Sequence, residues 1–289
     1  MAIKASEVKE LRERTGLGIM DCKKALTEAG GDMELAIDNL RKSSAVKAAK
    51  KAGRTAADGL LGMKVAADGK KAALVEINIE TDFAAKNEKF IAFVGRVTDA
   101  IYEQGSDDIM AIADIDAERE TLVQEIGENV SLRRAAFVDA GDGVISEYLH
   151  SDNRKATLVV VKGGDSELGK DIAMHITAVN PMVVKQSDVP EAAVAKEREI
   201  ATGQAAESGK PPEIVEKMVE GKVRKFLAEV SLMDQPFVKD SNMKISKLLK
   251  DAGAEVVSFV RFEVGEGIEV ETVDFATEVA QQLKGDDDD

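Results

Sequence analysis

The 289-residue sequence holds one cysteine, no tryptophan, two tyrosines, two histidines and five prolines. A single cysteine, Cys22, excludes an intrachain disulfide and fits a reducing compartment. With so few imidazoles and thiols, a His/Cys metal site is not expected. Long apolar runs are missing too. "TLVVV" and "AALVEINI" fall far short of the ~20 residues that a membrane helix needs. The opening "MAIKASEVKELRERTG" has no apolar h-region, so no secretory signal is expected and a cytoplasmic location follows. Positive charge is in deficit: 39 Lys and Arg against 54 Asp and Glu give a net −15. That balance argues against a broad basic face for DNA or RNA, and the scarcity of Tyr and Trp argues against base stacking.

Chemical motifs are equally sparse. There is no G-x-x-x-x-G-K-[ST], no G-x-G-x-x-G and no nucleophile elbow; "GLG" (16–18) and "GEG" (265–267) stand without a third glycine. We therefore expect no direct nucleotide binding, no cofactor and no catalysis by this chain. His175, amid the apolar residues of "IAMHITA", reads as a hydrogen-bonded core or surface histidine. His150, beside a turn in "EYLHSDN", is better placed for a contact.

What is present is a soluble globular balance, 44% hydrophobic and 32% charged. Charge is uneven: residues 1–54 carry twelve Lys and Arg against eight Asp and Glu, net +4, leaving −19 for the rest. This first stretch reads as three short helices. Ser6 is a candidate N-cap for the first and Gly16 its stop; "IMDCKKALTEA" is the second; Asp32 caps the third, on which Leu35, Ile37 and Leu40 are apolar. Leu11 and Leu26 read as packing residues of this bundle. "KKAGRTAADG" (50–59) reads as a linker that few contacts cross. The middle repeats weakly: "KKAALVEI" (70–77) resembles "RKATLVVV" (154–161). Each follows a strand-like segment ("GLLGMKVAA", "GVISEYLHS") and precedes a helix, while "SLRRAAFVDA" and "AEVVSFVRFEV" are available to complete two antiparallel sheets. Around 190–230 a helical hairpin turns at "SGKPP", with Gly209 ending one helix, Pro212 starting the next, and Ile214, Val215 and Met218 forming an apolar stripe. "DFATEVAQQL" reads as a last helix, followed by the acidic "KGDDDD". The class is α+β, divided into a helical module (1–54), a first core half (55–140), a second half with the hairpin (141–270), and a C-terminal helix with an acidic tail (271–289).

Between the first sheet and its helix stands "ETDFAAKN" (80–87). A carboxylate and a large aromatic leave a strand side by side; Phe83 either folds back into the core or is offered to a partner. Here the residues resemble a known family. "LRERTGLGIMDCKKAL" (11–26), "EINIETDFAAKN" (76–87), "IGENVSLRR" (126–134) and "FVRFEVGEGIE" (259–269) look like signature runs of bacterial elongation factor Ts, in order along essentially the whole chain. Ile19, Ile79 and Ala84 depart from the usual residues, each by an apolar substitution. The resemblance implies a three-helix, UBA-like N-terminal module ahead of the two core halves. It implies a guanine-nucleotide exchange factor for elongation factor Tu, the GTPase that delivers aminoacyl-tRNA. It further implies that Asp82 and Phe83 approach the partner's magnesium and phosphate region, with Phe83 wedged between helices and Thr81 among the partner-binding residues. Ile19, Met20, Ile126, Gly127 and His150 map onto further partner contacts. Two other classes stay open on residues alone: an RNA or ribosome binder using Lys42, Lys47, Lys50 and Lys51, and a small-molecule enzyme using the core cleft.

Overall fold

The computed structural model describes residues 3–207 and 210–269; the expected C-terminal helix and acidic tail, and Gly209 of the hairpin turn, lie outside them. The chain opens with α1 (Ala5–Thr15), α2 (Ile19–Glu28) and α3 (Met33–Lys51). α1 begins before Ser6, contrary to expectation: Lys4 holds the N-cap position, and its N–H donates to the Glu7 carboxylate at 2.8 Å. That carboxylate satisfies a backbone amide at the helix start, so no hydroxyl cap is needed. Asp32 caps α3 as its sequence suggests, accepting from the Leu35 N–H at 3.1 Å. Leu11 and Leu26 are fully buried in the module's own core.

β1 (Asp58–Val65) and β2 (Lys71–Ile79) follow, then α4 (Asp82–Ala85), α5 (Glu88–Gln104), α6 (Ile115–Ile126) and β3 (Val130–Asp139). The second half runs β4 (Val144–Leu149), β5 (Lys155–Lys162), α7 (Ser166–Val179), then the hairpin α8 (Glu191–Ala206) and α9 (Pro212–Val230). A small ribbon of β6 (Pro236–Phe237) and β7 (Asp240–Lys244), α10 (Ile245–Asp251) and β8 (Glu255–Glu263) complete it. Two antiparallel three-stranded sheets result, ordered β1-β2-β3 and β4-β5-β8. The repeated stretches are the central strands β2 and β5. The α+β expectation holds; α6, α10 and the β6–β7 ribbon were not foreseen.

The central strands explain their own composition. Ala73, Val75, Ile77 and Ile79 of β2 face α5 and α6, whereas Ala72 and Leu74 face the other sheet. In β5, Val159 and Val161 face α7 and α10, while Ala156, Leu158 and Val160 meet the first sheet. Strands covered on both faces read as continuous apolar runs rather than as alternation. The layers are therefore helix, sheet, sheet, helix.

The stretch after α3 is not a free linker. Ala48 is buried in the same core as β2 and α5, and Ser44 donates to Gln124 of α6 at 2.5 Å. Asn129 donates to the carbonyls of Ala52 and Arg54 at 3.4 and 2.9 Å, and Lys51 reaches the Gly127 carbonyl. Composition marks these residues as linker-like, but α3 docks on α6 and holds them. The hairpin also differs in detail: Val219 and Val223 of α9 pack with Ala201 and Ala205 of α8, with Val215 and Met218 partly buried, while Ile214 is exposed.

Candidate protein-binding surface

Thr81 ends the strand-to-helix turn in extended conformation and caps α4, its hydroxyl accepting from the Ala84 N–H at 3.2 Å. The same residue is pinned from below: its N–H and hydroxyl donate to the two oxygens of Glu128, at 3.0 and 2.8 Å. One residue earlier, the Glu80 carboxylate accepts from the Asn129 N–H at 2.6 Å. The turn is thus clamped to residues 128 and 129, and it leaves Phe83 81% exposed. Phe83 is not a core residue; Phe90, in the first turn of α5, is the ring that fills the core.

Asp82 pairs with Lys86 at 2.7 Å, and the Lys86 ammonium lies 5.4 Å from the centre of the Phe83 ring. The Lys86 hydrogen bond, aided by the charge of Arg154, holds the Asp82 carboxyl below its ordinary range despite some desolvation. An aromatic, an anion and a cation therefore project together from a short helix with fixed ends.

The other sequence-derived positions fall around this turn to different degrees. Gly127 ends α6 with φ +88° and is exposed, while Ile126 beside it is half-buried against the α5–α6 core. Ile19 and Met20 open α2 and are 56% and 76% exposed. The turn before them is tied to the same region, because Lys89 of α5 donates to the Gly16 carbonyl at 3.2 Å and pairs with Glu125 of α6 at 2.8 Å. His150 follows β4, exposed, with Nδ1 2.8 Å from Asp152. Desolvation pulls the Asp152 carboxyl up, but the His150 and Arg154 hydrogen bonds outweigh it and hold the group low. Asn153 accepts from the Leu61 N–H at 2.8 Å and Arg154 pairs with Asp58, whose strand partner is Ile79. The His150 turn thus meets the first sheet at the end from which Thr81 leaves.

Two residues of this surface were missed from sequence. Lys86 was legible, since Asp82 and Lys86 have the i, i+4 spacing of a helical ion pair. Glu128 was not, because nothing local marks a carboxylate as the clamp of a turn 47 residues earlier. His175 proves to be a core histidine: Nε2 is 2.9 Å from Gln235 Oε1, and Nδ1 accepts from the Val238 N–H at 3.2 Å. Burial pushes its pKa below the usual histidine range. Of the four lysines weighed for RNA, Lys47 pairs with Asp21 at 3.6 Å and Lys51 is bound to Gly127, so half of that set is engaged within the fold. Among the described residues there is no group of three or more His, Cys, Asp or Glu able to hold a metal, and no helix long and apolar enough to cross a membrane.

Residues 80–266 match the profile of the family described as Elongation factor TS. Elongation factor Ts of Hahella chejuensis is 57% identical over 286 residues, covering 98% of this chain and 99% of the relative. The protein of the same name from Saccharophagus degradans is 55% identical over 285 residues, 98% of each chain. That of Alcanivorax borkumensis is 54% identical over 288 residues, covering 96% of this chain and all of the relative. Fold and relatives together define a translation elongation factor, a protein of the protein-synthesis machinery. The chain belongs to the elongation factor Ts family.

Proposed function

We propose that the chain is a guanine-nucleotide exchange factor that binds GDP-bound elongation factor Tu in the cytoplasm and promotes GDP release by disturbing the partner's magnesium and phosphate site. The observation that carries this reading is Phe83, a fully presented aromatic on a turn clamped by Glu128. A rigid ring loses little conformational entropy when it enters a partner, so most of its burial is available to push groups apart. Asp82 beside it places negative charge where phosphate oxygens and magnesium ligands would have to rearrange. Ile19 and Met20, Gly127 and His150 would extend the contact from the N-terminal module to the second half.

The chain itself holds no nucleotide and makes or breaks no bond. Its effect is a thermodynamic coupling: a factor that weakens GDP on the partner is weakened by GDP to the same degree. Each tenfold in release rate requires about 1.4 kcal/mol of barrier lowering. Release of a fluorescent GDP analogue from elongation factor Tu, with and without this protein, is the test. Acceleration that saturates with added protein is expected; an unchanged rate at saturation overturns the reading.

A further inference from the structure

Two stretches distant in the chain converge on one buried carboxylate of a third. Glu76 lies on the inter-sheet side of β2, in line with Ala72 and Leu74, and is fully buried. Successive residues of a strand point to opposite faces, so Arg133 and Arg134 of β3 ought to diverge. A bulge prevents this. The register steps from Glu76 opposite Arg134 to Ile77 opposite Leu132, which leaves Arg133 as the extra residue. Both guanidiniums then reach the same group, Arg133 at 2.7 Å from one oxygen and Arg134 at 2.6 Å from the other.

The carboxylate also accepts from the backbone N–H of Gly265 at 2.8 Å, and Gly265 lies in the turn that follows β8 of the other sheet. Only glycine fits there: φ is +78°, and a Cβ would stand 2.3 Å from the Ala57 carbonyl oxygen. The ionic chain continues through Glu266, 3.3 Å from Arg134 and 3.4 Å from Arg261 of β8. At its edge the contact between the sheets also carries the Leu61 N–H to Asn153 hydrogen bond and the Asp58–Arg154 pair, but its buried interior is apolar, from Ala72, Ala140 and Ala156 to Leu158 and Phe262. Such packing is non-directional and tolerates sliding. Charged hydrogen bonds of fixed geometry do not. A buried ion pair adds little net stability over an apolar replacement, but it can select one register among several of similar energy.

Taking the exchange activity as given, we propose that Glu76 is a positioning residue, a latch that holds the two core halves at one relative setting so that both can act on the partner at once. Without the latch the halves bind the partner separately, and binding no longer forces Phe83 into place. Binding and release should then come apart, as an interaction that serves only the rate-limiting rearrangement does.

The test is Glu76→Gln in the full chain, with Arg133→Gln, at a partly exposed side chain, as the second variant should the first not fold. Spin labels on Ile91→Cys of α5 and Lys170→Cys of α7, both exposed, report the distance between the halves without any partner. A broadened or shifted distance distribution in the variant is expected, together with a maximal GDP-release rate about tenfold lower at a nearly unchanged half-saturating concentration. Arg133→Lys should restore much of the rate. An unchanged distance distribution overturns the latch, and so does a folded variant that keeps the full maximal rate. If the native protein itself fails to accelerate release, the exchange reading falls instead, and the distance measurement still judges whether Glu76 fixes the setting.

Discussion

Phe83 and Asp82 permit a separation of stability from activity that few single residues allow. Because the Phe83 ring is exposed, Phe83→Ala should leave the melting temperature nearly unchanged, within the ~0.5 kcal/mol typical of surface substitutions. An aromatic anchor at an interface carries about 2–4 kcal/mol, so partner GDP release should slow by roughly one to three orders of magnitude. A large melting drop with intact release would sink the wedge. Asp82→Asn keeps the shape and frees Lys86, so a loss of exchange in that variant reports charge near magnesium rather than packing. His175 makes a prediction of opposite kind, in stability alone. Its Nδ1 accepts from a backbone N–H, so a proton there would set donor against donor. Since the folded pKa lies below the unfolded one, near 6.5, the unfolded chain takes up the proton first as pH falls. Stability is therefore full above about pH 6.5 and is lost as pH drops from there toward the depressed folded value. Melting curves between pH 7.5 and 5 should show this slope, and His175→Gln should flatten it.

At the scale of elements, the hairpin of α8 and α9 packs on itself. Ala201 and Ala205 let α9 come close, Val219 and Val223 fill the seam, and Arg198 pairs with Glu220 across it. Its base is anchored separately: the Met182 N–H donates to the Val230 carbonyl and the Leu232 N–H to that of Val183, at 2.8 and 2.9 Å. Replacing residues 192–226 by a short linker leaves those anchors in place, so both sheets should still form. Exchange should fall only modestly. Loss of the cooperative transition by circular dichroism would show instead that the hairpin is part of the core.

For the whole molecule, the docking of α3 on α6 decides where the N-terminal module can be cut. Removing residues 1–54 breaks the bonds from Ser44, Lys51, Ala52 and Arg54 and takes Ala48 out of the first-sheet core. At about 1 kcal/mol for each lost hydrogen bond, that truncation should melt well below the full chain. Removing residues 1–31 keeps these bonds, Ala48 and the Asp32 cap but uncovers Ala36 and Leu40 of α3, and should melt between the full chain and the shorter one. Both lack Ile19 and Met20, so both should exchange poorly. A 32–289 chain that accelerates release like the intact one would remove the N-terminal module from the proposed contact.

Much of this was legible in the order of residues. The weak repeat marks β2 and β5, their continuous apolar runs report strands covered on both sides, Asp32 caps α3, and "ETDF" stands out as a strand exit with an unusual pair of side chains. These are local signals, set by neighbours a few residues away, and the backbone obeys them wherever packing does not object. Which side chain a partner can meet is another matter. Phe83 and Phe90 are near in sequence, yet one is presented and the other buried, because Glu128 and Asn129 hold the turn outward from a different part of the chain. Ile126 sits in a recognisable motif and is half-buried against the α5–α6 core, and a composition that reads as linker is fastened by Asn129. Glu76 stands as an acidic residue in an apolar strand, where its own strand offers it Asn78, and the bulge at Arg133 and the turn at Gly265, from opposite sheets, bring the remaining partners. Burial and charge compensation depend on groups that folding alone brings together, and for that reason the tertiary structure decided them.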